Sequence, residues 1–246
     1  MIKKKLLVLV CVLLTLVPFL AIVVNSFSLR AYYDVFLGTP IYLFRFWKSM
    51  GICTCIAMGQ VFVSLLAGYG FVRYEFVGKK LFYFLLMILM VLPLQVTLVP
   101  NYIMLYKLDI LGTEWSLILP CIFLPLGTFI MTQSIKTISA ELIHDAKLNG
   151  CNVLQMLWHV VLPMTKGSLI CVGILSFLDA WNMVEQPIAY LKDFDKYPIS
   201  VALAYVSNAN PTVQFVCCIL VLMPPLFLFA CFNKEIVQGI IFSGEK

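Results

Sequence analysis

Six runs of mostly apolar residues, each close to the ~20 that a helix needs to cross a bilayer, constrain this chain more than any other feature. They cover residues 6–24, 50–72, 81–99, 116–135, 167–188 and 213–232. With 62% of residues hydrophobic and 12% charged, the apolar surplus exceeds what one soluble core can hide, because such a core still needs a polar surface. The surplus has to face lipid. The expected fold class is therefore all-α and integral to the membrane: one domain over 1–246 with six transmembrane helices. No stretch is polar enough to form a second, soluble domain.

Basic residues give the orientation. With the N-terminus in the cytoplasm, the inner segments hold Lys3, Lys4, Lys5, Arg73, Lys79, Lys80, Lys136, Lys147, Lys166, Lys234 and Lys246, and the outer loops hold Arg30, Arg45, Lys48, Lys107, Lys192 and Lys196. The excess lies inside, as the positive-inside rule demands, and an even number of spans returns the C-terminus to the cytoplasm. The net charge of +5 reflects this loop bias rather than nucleic-acid binding. Lys3-Lys4-Lys5 before an apolar run resembles a secretory leader. The run is long for one and no small-x-small cleavage site follows, so it is read as an uncleaved first span. Pro18, Pro93, Pro120, Pro125, Pro224 and Pro225 fall inside spans, either as tolerated kinks or as breaks lining a pathway.

The chain carries no visible energy source. Its nearest intramembrane carboxylates, Asp179 and Glu185, sit toward the outer half of the fifth span, whereas an ion-coupled carrier keeps ionisable groups at mid-membrane. The two histidines, His144 and His159, share one inner loop. No GxSxG, HExxH or GxxxxGK[ST] motif is present. The nine cysteines, among them Cys53-Thr54-Cys55 and Cys217-Cys218, have no zinc-site spacing and read as small apolar residues. The expectation is a non-catalytic chain that binds no cofactor or metal of its own, and if it moves a solute, another chain drives it.

The inner loop 136–166 is the most patterned polar stretch. Ser139 is placed to cap a helix with Glu141 in its first turn. Leu142, Ile143 and Ala146 fall on one side, and Gly150 is placed at the helix's C′ position. Asn152, three residues before Gln155, forms a capping-box pattern for a second helix. Leu154, Leu157, Trp158 and Val161 make its apolar stripe, and Pro163 interrupts before the fifth span. Two short amphipathic helices joined by a glycine either lie on the membrane surface or dock in a groove of a cytoplasmic partner.

This loop resembles the EAA loop of ABC-importer permeases, E-A-A-x-x-x-G followed after nine residues by I-x-L-P. Here Gly150 is followed at that spacing by Val160-Val161-Leu162-Pro163. Phe76-Val77-Gly78-Lys79-Lys80, Pro93 with Gln95-Val96-Thr97-Leu98-Val99-Pro100, Leu108, Leu111 and Gly112, Trp181-Asn182 with Pro187, Tyr197-Pro198-Ile199 and Val237-Gln238-Gly239 extend the resemblance to the carbohydrate-uptake branch. The triplet departs from the pattern: His144, Asp145 and Ala146 stand where Glu-Ala-Ala is usual. Asn149 replaces the usual Asp, and Cys151 the usual Ala. His144 carries no fixed negative charge, and Asp145 points about 100° away round the helix.

The resemblance implies the type I importer permease fold in a bacterial plasma membrane. It also implies a second homologous permease, a cytoplasmic ABC ATPase dimer that holds ATP and Mg, and an extracytoplasmic solute-binding protein delivering a sugar or sugar-like solute. The coupling residues it implies are Glu141, His144, Asp145, Ala146, Asn149, Gly150, Leu157, Trp158, Leu162 and Pro163. Trp181 and Asn182 are read either as a ring-stacking aromatic and amide for a sugar or as a belt anchor and an interhelical hydrogen bond. A permease for a non-sugar solute, a secondary carrier and a membrane scaffold without an ATPase are the competing readings.

Overall fold

The computed structural model describes the backbone of residues 2–38, 41–205 and 211–244, and the side chains within 9–38, 41–205 and 211–233. The side chains of Lys3, Lys4, Lys5, Lys234, Lys246 and Val237-Gln238-Gly239 lie outside the described residues. All regular structure among the described residues is helical. Two compact units emerge, Met1–Ser49 with Tyr197–Phe227 and Met50–Lys196 with Leu228–Lys246.

In the first unit, α1 (Ile2–Asn25) exposes every residue from Leu9 to Ala21, so its apolar surface awaits lipid or another chain. Ser28 accepts the N–H of Ala31 to start α2 (Leu29–Tyr33), which runs on as a π-helical turn, Asp34–Gly38, bent 82° from α1. Ala31 and Val35 pack with Val213, Val216 and Cys217. The N–H of Ile199, which begins α13 (Ile199–Tyr205), donates to Ser49 Oγ at 2.8 Å. Helix α3 (Ile41–Arg73) begins at Ile41, well before the apolar run at residue 50, because nothing between the two breaks a helix. Helix α14 (Pro211–Gly244) carries Pro224 and Pro225 without breaking and is kinked at Phe232.

In the second unit, prolines decide where helices stop. Expected span 81–99 is two helices, α4 (Lys79–Val91) and α5 (Leu94–Lys107), meeting at 110°. Leu92 precedes Pro93, whose ring disfavours α-helical backbone in the residue before it, and Leu92 is extended at φ −66°, ψ 132°. The same effect at Leu124 (φ −61°, ψ 136°) separates α6 (Trp115–Ile122) from α7 (Pro125–Lys136). The fifth run is covered by α11 (Lys166–Trp181), which stops at Trp181; α12 (Glu185–Tyr190) follows after a turn.

Helix α3 packs on α7 through a seam of small and polar residues one turn apart. A Cβ on Gly68 would lie 2.9 Å from Met131 Cβ and 3.0 Å from the backbone of Met131 and Thr132, so the two backbones approach closely only because the side chain is absent. One and two turns earlier, Ser64 and Gln60 are buried. Gln60 donates to the carbonyl of Leu124 at 3.3 Å and accepts from Ser176 of α11, which fastens the α6–α7 break. Three helices, Ile41–Arg73, Trp115–Lys136 and Pro211–Asn233, are long and apolar enough to cross a membrane, and three bent pairs raise the number to as many as six.

Candidate functional site

The segment after α7 folds as two short helices with a glycine between them. Ser139 Oγ accepts the N–H of Leu142 to start α8 (Ala140–Leu148). Gly150 has φ +78°, a conformation that costs an L-residue roughly 1–2 kcal/mol. Its N–H donates to Lys147 O and the N–H of Cys151 to Ala146 O, the paired bonds of a Schellman stop. Asn152 and Gln155 exchange backbone and side-chain bonds at 2.8 and 2.9 Å, so the capping box read from the sequence is present. It opens α9 (Val153–Met156), which continues as a π-helical turn Leu157–Val161 and a last turn, α10 (Leu162–Met164).

One side of this pair is welded to the helices beside it. Ile143, Met156, Leu157 and Val161 are buried in one cluster with Tyr69, Ile130, Met131, Ile135, Leu169 and Val172, and Ala146, Cys151 and Leu162 pack at its margin. Arg73 donates to the carbonyl of Ile138 at 3.3 Å, tying the end of α3 to the start of the segment. The other side is open. Leu148, Leu154 and Trp158 are 75%, 73% and 66% exposed, and Glu141, His144, Asp145, Asn149 and Pro163 are exposed with them.

The expected single stripe is thus two. Leu157 and Val161 face inward, while Leu154 and Trp158 face out, and Met156, which the periodicity of the sequence missed, is buried instead. Glu141 and Asp145 stand one turn apart on α8, so the outer surface carries negative charge despite His144. A helix pair that rests on anionic lipid carries mostly Lys and Arg; α8 carries two carboxylates and Lys147.

Trp181 and Asn182 are not brought together as a solute site. Trp181 is buried and stacked on Phe177, ring centres 5.7 Å apart and planes at 13°. Exposed Asn182 caps α11, its amide donating to Leu178 O at 2.9 Å. Nearby, a cavity of about 560 Å³ opens between the bent α4–α5 pair, the α6–α7 break and Asp179 of α11. Asn101 of its lining bonds Tyr190, which also donates to Leu98 O, and Gln95 of the same α5 donates to Glu185 at 3.0 Å.

A family model described as "Binding-protein-dependent transport system inner membrane component" matches residues 60–241. The chain is 24% identical over 225 residues, 90% of its length and 81% of the relative's, to the arabinooligosaccharides transport system permease protein AraQ of Halalkalibacterium halodurans. It is 25% identical over 205 residues, 81% of its length and 73% of the relative's, to the sn-glycerol-3-phosphate transport system permease protein UgpE of Yersinia enterocolitica. It also matches a solved chain of a bacterial ABC transporter involved in the import of the acidic polysaccharide alginate, with TM-score 0.85, 95% of each chain covered and 18% identity. That likeness shows a common fold.

Proposed function

Since this chain belongs to the family of binding-protein-dependent transport system inner membrane components, we propose that it is the permease subunit of an ABC importer for a sugar or sugar-like solute. Relatives named for arabinooligosaccharides and for sn-glycerol 3-phosphate set the range of solutes. The observation that carries the coupling role is the two-sided hinged pair, one face locked into the transmembrane helices and the other exposed and apolar-acidic. A six-span arrangement with both termini in the cytoplasm puts that face where an ATPase can reach it.

In this reading a partner ATPase dimer holds ATP and Mg, and its closure moves the paired loops. Leu154 and Trp158 fill an apolar cleft in the ATPase, while Glu141 and Asp145 meet basic groups at its rim. His144 supplies no fixed charge there, so Glu141 and Asp145 carry the negative charge of α8. Solute arrives from a separate extracytoplasmic binding protein, and a second permease completes the pathway.

Replacing Gly150 with Val in the reconstituted complex tests the coupling. The expected result is loss of transport and of solute-stimulated ATP hydrolysis with the complex still assembled; unchanged values of both would refute the coupling role. Orientation has its own test. Cys151 in whole cells should resist a thiol reagent that cannot cross the bilayer and react once the cells are opened, and labelling of intact cells would place the loop on the wrong side.

A further inference from the structure

The 560 Å³ cavity holds a combination of groups that the coupling mechanism does not use. Its walls are mostly leucine, methionine and proline, with Thr97, Asn101 and Asp179 as the polar side chains and Phe123 as the aromatic one. Phe123 lies at the α6–α7 break, where the backbone leaves helical geometry (φ −99°, ψ 18°), and is 64% exposed. Asp179 is exposed and forms no hydrogen bond or ion pair among the described residues. Thr97 Oγ1 already donates to Leu94 O and Asn101 bonds Tyr190, and the carboxylate that lines the chamber beside them is Asp179.

An apolar chamber with a few convergent polar groups is the usual form of a small-molecule site. The pair presented here has a particular complement. The flat face of Phe123 suits the C–H face of a sugar ring. A carboxylate offers two acceptor oxygens to neighbouring hydroxyls, and bonds to an ionised acceptor are the strong ones. The same carboxylate repels a phosphate or uronate.

We propose that this cavity is a solute-contacting chamber in which Phe123 stacks on, and Asp179 hydrogen-bonds to, an uncharged polyhydroxylated ring, with Asp179 rejecting anionic solutes. The inference rests on the importer reading and narrows it, from any sugar-like solute to a neutral one.

Two measurements on the full complex in lipid nanodiscs or vesicles test it. In the first, Phe123→Cys and Asp179→Cys are exposed to a charged methanethiosulfonate, and the label is located by mass spectrometry. Both positions should label. Failure of both, while an Asp193→Cys control in an exposed loop labels, would mean that lipid or the second permease fills the cavity and would overturn the proposal without any transport assay.

In the second, uptake of arabinotriose, maltotriose and raffinose is compared with uptake of sn-glycerol 3-phosphate. The parent should favour a neutral sugar. Phe123→Ala should raise the half-saturating concentration about tenfold, with Phe123→Tyr restoring it. Asp179→Asn should shift the neutral-to-anion preference about tenfold toward the anion, the size of one lost charge-assisted bond. A parent that imports only the anion, or variants that match the parent, would sink the chamber reading and leave the importer reading standing. A complex that imports nothing and never binds an ATPase would sink the importer reading, and the labelling would still decide whether the cavity is open.

Discussion

The chain breaks its helices at Gly150 and at Phe123-Leu124 in opposite ways. At Gly150 every loose end is tied within a few residues: a Schellman stop with a left-handed glycine and then a capping box follow one another between Ala146 and Gln155. At Phe123-Leu124 no side-chain cap is present on either helix, and the tie comes from Gln60, distant in sequence, reaching the carbonyl of Leu124. The first break is made by local chemistry. The second depends on tertiary packing, so it yields only when the surrounding helices do.

That contrast can be broken most forcefully at Gly68. Gly68→Val drives a side chain into the backbone of Met131 and Thr132, at a cost of about 3 kcal/mol or more, and the purified permease should melt well below the parent; an unchanged melting temperature would mean α3 and α7 do not meet as described. Gln60→Leu comes next. It leaves the Leu124 carbonyl and the Ser176 hydroxyl without their partner, costing about 1–3 kcal/mol, and hydrogen exchange at residues 123–127 should quicken while 148–153 stays protected.

Gly150→Ala meets no neighbour within 4 Å, so only the left-handed backbone is penalised, by roughly 1–2 kcal/mol. Asn152→Ala should cost about 1 kcal/mol, visible as faster exchange in α9 with the melting temperature barely changed. The smallest effect on stability is expected for Trp158→Ala, within about 0.5 kcal/mol because the ring is exposed, yet ATPase co-purification should fall sharply. A Trp158→Ala complex that assembles normally would remove the outer face from the coupling role.

The same contrast explains what is legible in the sequence. Ser139, Gly150, Asn152 and Gln155 were legible because capping is a matter of spacing along one stretch of chain. The spans were legible as runs, and Pro93 and Pro125 marked breaks that a run-length argument passes over. What stayed hidden needed three dimensions. Trp158 and Leu157 are neighbours in sequence with opposite fates, because a π-helical turn and a crowded cluster around Val161 turn one in and the other out. Trp181 looked like an aromatic free to stack on a solute, yet Phe177 one turn earlier already covers it. Asp179 drew notice only as a carboxylate in a greasy span, since the cavity that it lines together with Phe123 leaves no trace in local pattern.

The 82° corner between Val153–Met164 and Lys166–Trp181 has a mechanical consequence. Buried Thr165 sits at the elbow, and both its N–H and its hydroxyl are held by Val161 O, at 2.9 and 2.7 Å, while its own carbonyl takes the N–H of Leu169. An elbow braced on both sides behaves as a bell crank rather than a joint. If a partner pushes on the short arm at Trp158, as the importer reading has it, the far end of the long arm, roughly 24 Å away for 16 residues, is where that push arrives, and Asp179 lies in its last turn.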